Sequence, residues 1–357
     1  MSRILSYIKR KWYFFASFAV MLISFAFKAP TGEMIVGLEW NGLTMIFVSS
    51  LALAGLRKEN ALSPLRAASG VFEHLGAILL WFIILSFVLS AFISSIAASL
   101  FLIPLSVEVL KKKERDEHIP GTAAAIALSA NAGGMLLPSG SIQNMLLNRA
   151  LPEGESFALT MLPFALLSIP VLLLMIPAIL RKKTLERVYI TGEKEYMEMG
   201  TKGMRMLYIT LIAVIVISSF GLFRWFEILL FTLAILLVFD RKVFIKTDYT
   251  IFLSVFFLSI AGNALDPGSI TLGGTTLIAE IIGSGAAASL LLPSSHDIAS
   301  LLIGSNIGSF GTILSFPALF GLTAMLKEGK REARAFALSY TVFSLLILML
   351  SALYIVL

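Results

Sequence analysis

Six stretches of almost uninterrupted apolar sequence, at about 12–28, 34–56, 157–180, 206–223, 225–239 and 250–266, dictate what this chain can fold into. In lipid the backbone must satisfy its own hydrogen bonds, and about 20 consecutive apolar residues in a helix cross a hydrocarbon core of about 30 Å. The runs are continuous rather than alternating, so helices are expected and a membrane β-barrel is not. With 58% hydrophobic and 14% charged residues and a mean hydropathy of +0.91, a soluble globule is excluded. The expected class is an all-α polytopic membrane protein, embedded in the lipid bilayer of a prokaryotic cytoplasmic (inner) membrane.

The net charge of +6 does not point to nucleic acid, because the basic residues sit in short clusters between apolar runs, where they act as topology signals. Placing Lys9, Arg10 and Lys11 in the cytoplasm carries the first helix out and the second back to Arg57 and Lys58. The run from about 70 to 110 returns to "KKKER" at 111–115, so it crosses twice or re-enters as a hairpin. Continuing through Arg181–Lys183, Arg241, Lys242, Lys246 and "KEGKREAR" leaves the N-terminus cytoplasmic and the C-terminus external. The first helix, whose apolar core is long, reads as retained rather than as a cleaved leader. Without cysteine there is no disulfide, thiolate metal site or cysteine nucleophile.

Two segments interrupt this pattern. "SANAGGMLLPSGSIQN" (129–144) and "GSNIGSFGTILSFPAL" (304–319) put glycines, prolines, amides and hydroxyls where a membrane helix should continue. Gly133, Gly134 and Gly140 allow unusual backbone angles, and Pro138 withholds a donor. Asn131, Ser139, Ser141, Gln143 and Asn144 offer neutral donors and acceptors. A kink satisfied between helices would explain either break alone. The pair matches, however: Asn131-Ala132-Gly133-Gly134 aligns with Asn306-Ile307-Gly308-Ser309, and hairpin candidates "SSIAASLFLIP" (94–104) and "GSGAAASLLLP" (283–293) precede them. Matched breaks that cross in opposite directions are the pattern of inverted-repeat transporters, whose half-helices aim their positive N-termini at anionic substrate groups.

The expectation is therefore two inverted-topology repeats. The first, 1–180, has a hairpin at about 75–110 and a broken helix at about 120–150. After a cytoplasmic linker at 181–205, the second, 206–357, has a hairpin at about 270–295 and a broken helix at about 296–325. Candidate substrate or ion ligands are Ser94, Ser95, Ser129, Asn131, Gly133, Gly134, Ser139, Gly140 and Asn144 from the first, and Ser284, Ser305, Asn306, Gly308 and Thr312 from the second. Glu280 and Asp266 are the acidic candidates for coupling to sodium or protons.

"SAFISSIAASLFLIPLSVEVL" followed by "LSANAGGMLLPSGSIQNMLL" resembles the hairpin and broken-helix pair of the ion transporter superfamily, and "VFFLSIAGNALDP" with "LLIGSNIGSFGTILSFPAL" resembles its second pair. That superfamily includes arsenite permeases, NhaD-type sodium/proton antiporters, citrate permeases and divalent anion/sodium symporters. The resemblance spans about 35–325 and implies a substrate site between hairpin tips and broken helices, an elevator-type movement and a homodimer. Ser95-Ile96 and Ser284-Gly285 stand where family hairpin tips commonly carry an Asn, so a sodium ion near Asn131 and Asn306 would rely on hydroxyls and carbonyls.

The expected function is secondary active transport of a small anion, a di- or tricarboxylate or an inorganic oxyanion, driven by an ion gradient. Arsenite efflux and sodium/proton antiport are the alternatives within the superfamily, and a channel or a membrane hydrolase the alternatives outside it. Ser295-His296-Asp297 invites the hydrolase reading, but sequence neighbours seldom converge into a relay. No phosphate-binding loop and no metal-ligand spacing appear, so no organic cofactor or metal is expected beyond the coupling ion.

Overall fold

The computed structural model describes residues 11–61, 64–65, 68, 72–181, 201–265, 268, 270–311 and 315–357. Their regular structure is helical. In chain order the helices are α1 (Trp12–Ser24), α2 (Gly32–Val36), α3 (Trp40–Lys58), α4 (Leu75–Ile93), α5 (Ser95–Lys112), α6 (Ile119–Gly134), α7 (Ile142–Leu147), α8 (Phe157–Leu180), α9 (Lys202–Ser219), α10 (Trp225–Phe239), α11 (Lys242–Lys246), α12 (Thr250–Leu265), α13 (Leu272–Ile282), α14 (Ser284–Leu291), α15 (Ile298–Gly311), α16 (Phe316–Glu328) and α17 (Lys330–Val356). Among the described residues, five stretches are long and apolar enough to cross a membrane: α4, α8, α9, α17 and the interval Ile298–Glu328. Large apolar side chains such as Leu22, Leu159, Leu174, Leu230 and Val238 stand exposed along the helices. In water such a surface would drive association, whereas lipid tails cover it at no penalty. The protein is a polytopic helical membrane protein.

The apolar run at 34–56 does not form one helix. It divides into α2 and α3 because Gly37 ends the first, and Asn263 of α12 donates to the Met34 carbonyl at 3.0 Å, satisfying an acceptor that the break leaves over. The charged linker at 182–200 lies outside the described residues.

Among the described residues, the pairs α4–α5 and α13–α14 are each joined by a single residue of positive φ. Between α4 and α5 the turn is Ser94, at φ 93°, and its hydroxyl accepts from the Ala97 amide at 3.3 Å. Between α13 and α14 it is Gly283, at φ 91°. A left-handed backbone angle is free for glycine and strained for serine, so the Ser94 cap offsets part of that strain. The string Ala-Ala-Ser shared by the two second legs is buried in both, at 97–99 and 287–289.

Each first leg packs along the next interrupted helix, α4 on α6 and α13 on α15. Small residues allow the approach. A Cβ on Gly133 would collide with the Phe87 carbonyl, and one on Gly308 would lie 2.6 Å from the Thr276 carbonyl. Phe87 and Thr276 each precede their turn residue by seven positions. Above this contact, Ser129 donates to the Ile83 carbonyl at 2.6 Å and Ser86 to the Ile126 carbonyl at 2.8 Å.

A second group of helices, α3, α9 and α10, is fastened at one end by a polar cluster. Lys58 lies 2.7 Å from the buried Asp240 carboxylate, which also accepts from the Tyr208 hydroxyl at 2.5 Å. Gly55 leaves room for the Tyr208 ring. Lys11 pairs with Asp248 where α1 and α12 begin, and Lys111 lies 2.5 Å from Glu328 where α5 and α16 end. Basic clusters that the sequence presents as topology signals thus meet acidic partners at helix ends.

Two predictions follow from these contacts. Burial would raise the Asp240 carboxyl, but hydrogen bonds from Lys58 and Tyr208 outweigh it and hold it below the usual carboxylate range. A depressed native pKa gives stability that is complete above the unfolded value of about 3.9 and fades as pH falls through the native one. Thermal unfolding in detergent from neutral pH downward should therefore show a steeper acid loss for wild type than for Asp240→Asn. Parallel curves would mean the cluster contributes nothing. In the second, Gly133→Ala and Gly308→Ala should each lower stability by about 1–3 kcal/mol through overpacking, while Gly273→Ala, which meets nothing within 4 Å, should leave the melting temperature unchanged.

Candidate functional site

The interruption after α6 frees backbone groups that need new partners. After Gly134 the chain forms a 3-10 turn at Pro138–Gly140 and restarts as α7. The Asn144 side chain supplies the missing donor, giving a 2.8 Å hydrogen bond to the Gly134 carbonyl. The second interruption lies ahead of α16, where Ser315 is extended and its hydroxyl accepts from the Ala318 amide at 3.4 Å. Thr312 lies outside the described residues, as does Asp266.

Side-chain amides join the two interruptions. Asn306 donates to the Asn144 side-chain oxygen at 2.7 Å and to the Leu302 carbonyl at 2.9 Å, while Gln143 donates to the Asn306 oxygen at 3.2 Å. Asn131 reaches the other way across the same junction, donating to the Ser309 carbonyl at 3.1 Å and to the Tyr340 hydroxyl at 3.0 Å. Ser315 lies 3.0 Å from the same hydroxyl. These six side chains are buried and neutral. A buried amide without partners would cost about 1–3 kcal/mol, so the network also holds the interrupted helices together.

Beside this network lies a narrow cleft, closed down to about 10 Å³, the room of roughly one water. Ser95 and Ile96 line it from the α4–α5 turn, Ser284 and Gly285 from the α13–α14 turn, Asn131 from α6, Ile142 and Gln143 from α7, and Ser315, Phe316 and Pro317 from the start of α16. The N-terminal ends of α5, α14 and α16 thus converge on one space, joined by the first turn of α7. Each full helix presents the equivalent of roughly half a positive charge there. No charged residue is among the lining residues. First turns of helices and neutral side chains thus line the cleft, without a cation among its lining residues.

Of the residues singled out from sequence, Ser95, Asn131 and Ser284 line the cleft, and Asn144 and Asn306 belong to the amide network behind it. Ser94 caps its turn. Ser129, Ser139 and Ser305 instead donate to the carbonyls of Ile83, Ala91 and Leu302. Gly133, Gly134, Gly140 and Gly308 serve close backbone approach: a Cβ on Gly134 would lie 2.8 Å from the Gly140 carbonyl. Glu280 is half-buried on α13, and a Cβ on Gly311 would press on its carboxyl group. Sequence reasoning missed Tyr340 and Ser315. Ser315 carries a faint signal as a helix-capping Ser before Phe-Pro, whereas Tyr340, one aromatic in a long apolar helix, carries none.

No Ser–His–Asp relay forms at 295–297. Asp297 caps α15 by accepting from the Ser300 amide at 2.9 Å, and Ser295 donates to the Asp297 backbone carbonyl at 3.2 Å. Among the described residues no group of three or more His, Cys, Asp or Glu side chains could hold a metal ion.

No curated protein matches the chain. The citrate transporter family (CitMHS), by contrast, matches it over residues 8–357, nearly its whole length. The helical interruptions, the neutral junction between them and that match together place the chain in the citrate transporter family, within the ion transporter superfamily.

Proposed function

We propose that the chain is a secondary active transporter for a small polycarboxylate of the citrate class, bound in the cleft between the two helical turns and the two interruptions. The observation that carries this reading is the convergence of the N-terminal ends of α5, α14 and α16 on one space lined by hydroxyls and amides. Oriented backbone N–H groups and neutral side chains suit carboxylates, which accept several hydrogen bonds, and they leave no fixed charge buried when the cleft is empty.

The two helix pairs are read as re-entrant hairpins of inverted repeats spanning 1–180 and 206–357. Supporting this are the equivalent turns at Ser94 and Gly283 and the matched contacts of Gly133 with Phe87 and Gly308 with Thr276. Movement of each hairpin with its interrupted helix against α3, α9 and α10 would be an elevator-type alternation, and a homodimer would hold the latter group still. The cytoplasmic side is assigned to the end carrying Lys58 and Asp240, following the basic clusters. Coupling is assigned to a proton or sodium ion, with Glu280, whose carboxyl lies against Gly311, as the acidic candidate.

The test is saturable citrate uptake into liposomes holding the purified protein. Asn131→Ala removes a cleft donor and should reduce uptake at least tenfold, equivalent to about 1.4 kcal/mol. Citrate should raise the melting temperature of wild type and not that of Asn131→Ala. Uptake by Asn131→Ala at the wild-type rate and affinity would remove the cleft from consideration. Wild type that neither binds nor moves citrate, under sodium or proton gradients, would remove the substrate class.

A further inference from the structure

A second polar cleft lies on the other side of α7. Asn41, Asn148, Arg149 and Ser218 line it with Pro138 and Met145, around a space of about 10 Å³, the room of roughly one water, so that a carboxylate enters it only as the surrounding helices part. It sits where α3 and α10 begin and α9 ends, the end of that group opposite Lys58 and Asp240. The stacked rings of Trp40 and Trp225, 5.8 Å between centroids, hold the starts of α3 and α10 together there.

Two features make this more than a gap between helices. The Ser218 hydroxyl, on a residue only 1% exposed, has no hydrogen-bond partner although it lines the cleft. A buried hydroxyl left unpaired is costly, and a ligand oxygen would satisfy it. Arg149 contributes a cation, whereas the central cleft has none among its lining residues. One of its guanidinium N–H groups donates to the Phe223 carbonyl at 2.6 Å, and the side chain lies along the turn at Gly221. That hydrogen bond holds the guanidinium at the α9–α10 turn, and a guanidinium carries five donors in all.

The wall between the clefts is thin in sequence. Pro138 and Met145 face the outer space, Ile142 and Gln143 the central one, and the buried, unpartnered Ser141 hydroxyl falls between them in the chain. Glu39 lies close enough to interact with the Arg149 charge, and its carboxylate accepts from Asn41 at 3.2 Å. A partly neutralised arginine binds an anion weakly, as a staging site must if it is to hand its ligand on.

We propose that the cleft formed by Asn41, Asn148, Arg149 and Ser218 is an outer carboxylate-binding site that receives the polycarboxylate before it passes α7 to the central cleft. This rests on the transport reading above, and the experiment separates the two. Initial rates of citrate uptake into liposomes would be measured against concentration, at low and high ionic strength, for wild type, Arg149→Gln, Arg149→Lys, Ser218→Ala and Asn131→Ala. Expected is a rise in KM of about tenfold for Arg149→Gln and about threefold for Ser218→Ala with maximal rates preserved, because an uptake step has lost binding energy and not its machinery. Arg149→Lys should recover most of the affinity, and raised ionic strength should increase the wild-type KM more than that of Arg149→Gln.

Unchanged KM in both Arg149→Gln and Ser218→Ala, with Asn131→Ala inactive, would overturn the outer site and leave the central one standing. A fall in maximal rate that Arg149→Lys does not restore, with KM unchanged in Ser218→Ala, would overturn it too, assigning Arg149 to the α9–α10 turn alone. Should Arg149→Gln fail to fold, Ser218→Ala decides the matter by its KM. Wild type without citrate uptake would overturn both readings together.

Discussion

The 2.7 Å hydrogen bond between the Asn306 and Asn144 side chains joins residues 162 positions apart and closes the two helical interruptions on each other. A helix broken in an apolar surrounding leaves carbonyls and amides that neither lipid nor an apolar side chain can satisfy. Here side-chain amides supply partners across and within the breaks: Asn144 takes the Gly134 carbonyl, Asn306 takes Asn144 and Leu302, and Asn131 takes the Ser309 carbonyl. Each interruption thus takes hydrogen bonds from the elements of the other. The positions of α7 and α16, and through them the shape of the cleft, follow from that mutual dependence.

Neutrality has a functional side. An arginine at the centre would bind a carboxylate tightly, but it would have to be desolvated and paired whenever the cleft was empty. Helix ends and amides supply attraction without that penalty, since their dipoles are part of the backbone and already oriented. Apart from Glu280 beside Gly311, the charges described here stand at the margins. Arg149 stands at one end of the α3, α9 and α10 group, and Lys58, Asp240 and Tyr208 fasten the other. In the proposed mechanism the first attracts and the second anchors, while the uncharged centre lets go.

The glycines show how packing and site formation are linked. Gly133 lies two residues beyond Asn131, and Gly308 two beyond Asn306. Each brings its interrupted helix against the carbonyls of the preceding helical leg, so that the neighbouring amide enters the junction at a set height relative to the Ser94 or Gly283 turn. A methyl group at either glycine would displace the asparagine along with the helix.

Much of this was legible in the sequence because membrane folding is a strict filter. Long apolar runs pointed to helices, and grouped glycine, proline and amide residues pointed to a nearby departure from the helix, although Asn131 and Asn306 themselves lie inside α6 and α15 and three prolines lie inside an unbroken α8. Asn131, Asn144 and Asn306 stood out for that reason. Sequence was silent about which of these polar groups would face open space: Ser129, Ser139 and Ser305 look like Ser95 and Ser284 in composition, yet they spend their hydroxyls on neighbouring carbonyls. Tyr340 and Ser315 joined the junction without announcing themselves. The sequence by itself determined the helical membrane class, the two interruptions and the stock of neutral donors, since these depend on local polarity and backbone chemistry. Only the tertiary structure decided which donors meet, because a hydrogen bond between residues 162 apart, or the convergence of three helix N-termini on one cleft, depends on how helices pack and not on what any segment prefers alone.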